Sequence, residues 1–184
     1  MVNDRVIFLD FDGVINDNVK PVTKEAMSAF LFLLHLYPSK VVVTTSNLQN
    51  GTIEKQKYLS TFLNKFGIYD IDFINPNFRD GVFFDKKLSF RALGIIDYFS
   101  NHEVGEYLIL DDDYYNEYKR LGLNYYKTMA CKGLRWNDLK KITFSSNIPK
   151  IDIKYHLRPM GMMEEAHYQL IKTLKNGIEK SMFG

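Results

Sequence analysis

The segment VIFLDFDGVIND (6–17) carries an apolar run straight into two carboxylates, Asp10 and Asp12, and then into Gly13. Far downstream, YLILDDDYY repeats the design with Asp111, Asp112 and Asp113. In an extended backbone, positions two apart project to the same side, so Asp10 and Asp12 share one. Gly13 allows a tight turn where a side chain would obstruct a ligand. Carboxylates packed together repel, and burial adds a desolvation cost. A divalent cation relieves both, and hard oxygen donors favour Mg²⁺. Asp111 and Asp112 arriving at the same edge would complete such a site. The competing reading, helix caps and solvated loop acids, suits one acidic pair better than two clusters at two strand ends.

The elements that must position these acids are legible as hydrophobic patterns. RVIFLD (5–10), KVVVTT (40–45) and EYLILDD (106–112) are continuous apolar runs ending in polar residues. Unbroken hydrophobicity is what a strand covered on both faces requires, so the sheet is expected to be parallel. Helical periodicity falls between the strands. Thr23 is placed to cap a helix over 24–37, using Ala26, Phe30, Leu33 and Leu34 and followed by Pro38. A second helix is expected from Thr52 to Phe66, and a third over 88–100 on Phe90, Leu93, Ile96 and Phe99. Weaker strands are expected at 71–74, 82–84 and 124–129, with helical turns at 116–121 and 136–142. The alternation predicts a doubly wound, Rossmann-like α/β fold, whose ligands bind beyond the carboxyl ends of the strands.

At these motifs the chain resembles the haloacid dehalogenase-like (HAD) phosphohydrolases. LDFDGVIN resembles their nucleophile motif, VVVTTSN the strand that ends in a hydroxyl, and YLILDDD the final acidic motif, in the expected order over roughly residues 5 to 135. A short chain, the ILDDD strand end and KGL (132–134) also resemble the small HAD domains associated with RNA-repair proteins. The resemblance implies an aspartyl nucleophile at Asp10 and an acid–base residue at Asp12, which must carry a proton part of the time. It implies Mg²⁺ between Asp10, the backbone carbonyl of Asp12 and an acid of the last cluster, Asp112 before Asp111. Asp113 is expected to face away or cap the next turn. Thr44, or else Thr45 or Ser46, would bond a phosphoryl oxygen, with Gly13 making room for it. The phosphate-holding cation is expected to be Lys87, which has the commoner residue type, ahead of Arg91, which has the better spacing and lies four positions on. No segment long enough for a substrate-covering cap stands between the motifs. A bare site suits a phosphorylated substrate as large as a nucleic-acid end.

Composition narrows the alternatives. The net charge of +2 gives no broad electrostatic case for nucleic-acid or membrane binding, and no apolar run approaches the about 18 residues of a membrane span. Cys131, the only cysteine, excludes an intrachain disulfide and a thiolate cluster, and it is expected to be buried and inert. With no signal-peptide pattern at MVNDRVIFLD, a cytoplasmic protein is expected. His35, His102, His156 and His167 lack metal-ligand spacing. Residues 1–144 are read as the catalytic domain and 145–184 as an extension with an amphipathic helix over 164–180 packed on it; nothing fixes the oligomeric state. The aromatics Phe11, Tyr114, Tyr115, Tyr125 and Tyr126 could stack bases, though packing is the simpler role. Two other functions use clustered acids: a nuclease of TOPRIM or PIN type, and a receiver-like module without catalysis. A DxDG on the first strand and the hydroxyl-ended second strand favour the phosphatase.

Overall fold

The computed structural model describes residues 4–16, 22–45, 53–74 and 88–150. Five strands form one parallel sheet: β1 (Arg5–Leu9), β2 (Lys40–Val43), β3 (Ile71–Phe73), β4 (Glu106–Asp111) and β5 (Tyr125–Lys127). Their order is β3-β2-β1-β4-β5, with the three expected apolar runs at the centre. Helices α1 (Lys24–Leu36), α2 (Ile53–Asn64), α3 (Phe90–Asn101) and α4 (Tyr115–Arg120) make the crossovers. The chain first winds outward from β1 through β2 to β3, then returns to β4 on the other side of β1. With right-handed crossovers, that reversal puts α1 and α2 on one face and α3 and α4 on the other. The fold is doubly wound α/β, and its switch point lies at the end of β1.

Local chemistry sets the helix boundaries. Thr23 caps α1, its hydroxyl accepting from the Ala26 N–H at 3.2 Å, and Ser89 caps α3 by the same bond from Ala92. Helix α1 buries Ala26, Met27, Ala29, Phe30 and Leu33; Met27 and Ala29 join the expected stripe, and Leu34 at its margin is only half-buried. Helix α3 is buried nearly all round, with Arg91 among its buried residues. Phe8 fills the layer beneath it, its ring edge-on to Phe99 at 5.2 Å and Tyr98 at 5.5 Å.

Some expectations need correction. The segment 136–142 contains only one 3-10 turn, Leu139–Lys141. Asp138 competes with helix here: its carboxylate accepts from the Arg135 N–H and from the Tyr126 hydroxyl, both at 2.9 Å. Cys131 is exposed rather than buried, because it lies in the turn closed by the Met129 and Gly133 bridge. The strand at 82–84, the tail helix, His156 and His167 lie outside the described residues. Ser145 exchanges backbone hydrogen bonds with Tyr107 at 2.9 and 3.0 Å, an antiparallel bridge to the start of β4.

Phe8 is fully buried at the contact of β1 with α3. Phe8→Ala should therefore cost about 3–5 kcal/mol, read as a lower denaturation midpoint with unchanged slope.

Candidate active site

The ends of β1, β2 and β4 are tied together at the switch point. The Asp10 N–H donates to the Leu110 carbonyl at 2.9 Å, and the Thr44 N–H to the Leu9 carbonyl at 2.8 Å. Asp10, Thr44, Thr45 and Asp111 consequently meet as buried polar residues at one edge of an apolar sheet.

The chain then turns over Phe11–Asn16. Gly13 has φ +74°, and a Cβ there would lie 2.3 Å from the Asp112 carboxylate, so glycine is what lets β4's acid approach. Asn16 brackets the turn, accepting from the Gly13 N–H at 2.9 Å and donating to Asp12 at 2.8 Å. Two contacts from beyond β5 hold it down. The Thr128 hydroxyl donates to the Gly13 carbonyl at 2.8 Å, and the Leu134 N–H to the Val14 carbonyl at 2.8 Å. Gly133, at φ +65°, leaves room for the Val14 carbonyl, which a Cβ would approach to 2.7 Å. KGL is thus a clasp on the DxDG turn.

Arg91, in the first turn of α3, reaches into the acids. Its Nη1 donates to Asp10 Oδ2 and, at 2.8 Å, to Asp111 Oδ2, while its guanidinium lies over the Tyr114 ring at 4.9 Å. Asp111 Oδ2 also accepts from the Tyr118 hydroxyl at 2.8 Å, and its Oδ1 from the Asp113 N–H at 2.8 Å. Asp113 is exposed and accepts from the adjacent Tyr114 N–H; it does not cap α4, whose N-cap is Tyr114 without a side-chain bond, so of the two expected roles it is the outward-facing one that fits.

Burial pushes the Asp10 carboxyl well above the ordinary carboxylate range; Arg91 opposes this, and Asp111 and Asp112 add to it. Burial raises Asp111 too, against the pull of Arg91 and its hydrogen bonds. For Arg91 itself burial pulls downward, but Asp10 and Asp111 outweigh it, and the guanidinium stays charged.

One guanidinium cannot neutralise three carboxylates. Asp10, Asp111 and Asp112 can each direct an oxygen into a group whose members lie within 4.8 Å of one another. Asp10 Oδ1, Thr44 Oγ1 and Thr45 Oγ1 are buried and find no hydrogen-bond partner among the described residues. Buried polar atoms are rarely left so, and this set of hard oxygens fits a divalent cation and an anionic ligand held together. The Asp12 carboxylate stands outside the acidic cluster, half-buried on the side facing α2.

The sequence model of the HAD domain in Swiss Army Knife RNA repair proteins matches residues 6–139. The chain belongs to that family. No curated protein and no solved structure matches it. The matched span of this HAD domain holds every residue of the edge just described, and the Thr128 and Gly133 contacts with it. Of the expected site residues, Asp10, Asp12, Gly13, Thr44, Thr45, Arg91, Asp111 and Asp112 converge, while Ser46 and Lys87 lie outside the described residues. Sequence reasoning missed Tyr118 and Thr128. Tyr118 is one of 12 tyrosines, and only its place in the helix after an acidic strand end could have marked it.

A divalent cation at a hundredfold excess over its Kd should stabilise this HAD domain by about 2.7 kcal/mol in thermal unfolding. Gly13→Ala and Asp112→Asn should each abolish that increment. The raised Asp10 carboxyl binds protons more readily folded than unfolded, so its contribution to stability is present at low pH and lost as pH rises. In chelator, the stability of wild type relative to Asp10→Asn should fall as pH rises above about 4. Denaturant titrations of both proteins across pH read this directly.

Proposed function

We propose that the domain is a Mg²⁺-dependent phosphomonoesterase that forms an aspartyl-phosphate on Asp10. The observation that carries this reading is Asp10 Oδ1, left without a partner beside Thr44 and Thr45 while Arg91 occupies Oδ2. That arrangement turns one oxygen of a buried carboxylate towards a ligand and holds the other.

In the proposed reaction Asp10 Oδ1 bonds to phosphorus as the bond from phosphorus to the leaving oxygen breaks. Asp12 gives that oxygen its proton, then takes one from the water that hydrolyses the aspartyl-phosphate and restores Asp10. Thr44 and Thr45 hydroxyls donate to phosphoryl oxygens. Arg91 positions Asp10 and counters the charge beside it, and is the cation we assign in preference to Lys87. Mg²⁺, held by Asp10, Asp112 and the Asp12 carbonyl, would supply charge neutralisation at the phosphoryl group. Asp112 is favoured over Asp111 because its carboxylate lies against Gly13, in the turn that carries the Asp12 carbonyl.

The family description names RNA repair, and with no cap expected from the sequence we favour a phosphorylated nucleic-acid end as substrate. We infer that residues 1–144 form the catalytic unit and that 145–184 extend it, beginning with the Ser145 contact on β4. A single cysteine suits a reducing compartment, and we infer the cytoplasm. No helix among the described residues is long and apolar enough to cross a membrane.

Phosphate release from p-nitrophenyl phosphate, with Mg²⁺ or EDTA, tests the reading. Asp10→Asn should lose at least about 1,000-fold in kcat, the scale seen when a nucleophile is removed. Turnover that persists in Asp10→Asn would sink the covalent route. Oligonucleotide cleavage persisting there would favour a metal nuclease.

A further inference from the structure

A cavity of about 340 Å³ opens between the β1 turn and α2, lined by Phe11, Asp12, Thr45, Lys55, Tyr58 and Leu59. Its volume is at the small end of the about 300–1,000 Å³ typical of ligand pockets. Two of its walls, Asp12 and Thr45, belong to the edge already described, so the cavity continues from the reacting centre. It lies on the side of Asp12, the residue assigned to protonate the leaving oxygen.

The remaining walls come mostly from one stripe of α2. Lys55, Tyr58, Leu59 and Phe62 are spaced i, i+3, i+4, i+7 and share a helical face. Leu59 is buried as a floor, and Phe62 holds the Phe11 ring edge-on at 5.4 Å. Tyr58 is 69% exposed, so its ring does not serve as core. Lys55 brings a cation to the same wall. Away from Asp12 and Thr45 at the reacting edge, the cleft offers two rings, an aliphatic floor and one ammonium, and so gives a polyol few hydrogen-bonding partners there. It matches a planar ring that carries negative charge.

We propose that this cavity is the leaving-group subsite, and that it selects phosphomonoesters whose leaving group is itself a nucleotide. The base stacks on Tyr58 and Phe11, and the phosphate retained by the leaving group faces Lys55. The inference rests on the phosphatase reading and adds its specificity-determining residues. A free nucleoside bisphosphate and the phosphorylated end of an oligonucleotide share this chemistry.

The test compares kcat/KM for a nucleoside bisphosphate, a dinucleotide with a terminal phosphate, and glycerol phosphate. Wild type should prefer the nucleotides, and whichever of the two is better identifies the source. Tyr58→Leu should lower the nucleotide-to-glycerol-phosphate ratio about 10-fold, the effect of losing one stacked base. Lys55→Met should lower it too, by a factor that shrinks with added salt. Tyr69→Leu, at an exposed tyrosine outside the cavity, should keep the wild-type ratio. A ratio unchanged in Tyr58→Leu, or a wild type that prefers glycerol phosphate, overturns the proposal. If no substrate is turned over, the phosphatase reading fails, and equilibrium binding of the bisphosphate in chelator tests the subsite alone. An about 10-fold weaker Kd in Tyr58→Leu upholds it, whereas equal affinities or no binding overturn it.

Discussion

Arg91 is a full positive charge enclosed among carboxylates, and the arrangement of the site depends on that enclosure. Removing any charge from water is costly, and an apolar sheet edge offers little in return. Here one guanidinium nitrogen is shared by Asp10 and Asp111, while Tyr114 covers its face. The sharing fixes the ends of β1 and β4 relative to α3. It also sets which oxygens remain for chemistry: Asp111 is consumed by its partners, whereas Asp10 keeps one oxygen without a partner. Because three carboxylates outnumber the guanidinium, the cluster is one that could hold a further cation. Structural and catalytic electrostatics are therefore one arrangement.

Backbone geometry supplies the second constraint. A turn carrying two acids between strand and helix would ordinarily relax towards solvent, where carboxylates are hydrated. Gly13 makes the tight path possible, and Asn16, Thr128 and Leu134 hold it against that tendency. The result is preorganisation: the Asp10 carboxylate is desolvated and fixed before any ligand arrives.

Much of this was legible in the residues. β1, β2 and β4 read as buried strands because both their faces are covered, and their carboxyl ends had to meet at the switch point. β3 and β5, three residues each and without a fully buried position, carry too little hydrophobic signal to fix their bounds. Spacing points to Arg91 and residue type to Lys87, and the sequence cannot weigh one against the other because the choice depends on how α3 packs on the sheet. Tyr118 and Thr128 were illegible for a related reason. Thr128 takes its role from a distant partner, the Gly13 carbonyl, and Tyr118 from the way α4 folds back over Asp111, seven residues earlier. The 3-10 turn near Asp138 shows a local preference overridden by a buried side chain's hydrogen bonds. Lys55 and Tyr58 look like the solvated side of a helix until the β1 turn is placed opposite them.

The clasp of Thr128, Gly133 and Leu134 on the β1 turn has a consequence for how the protein is made. In a chain emerging from the ribosome, DxDG precedes the groups that close its turn by more than one hundred residues. Contacts of such sequence separation form late, after the loops between them have been closed. Until those groups arrive, the nascent chain carries its acids in solvent, where they do not crowd one another. The site acquires its charge density only when the sheet is complete, so the most densely charged part of the molecule is assembled on a scaffold already able to bear it.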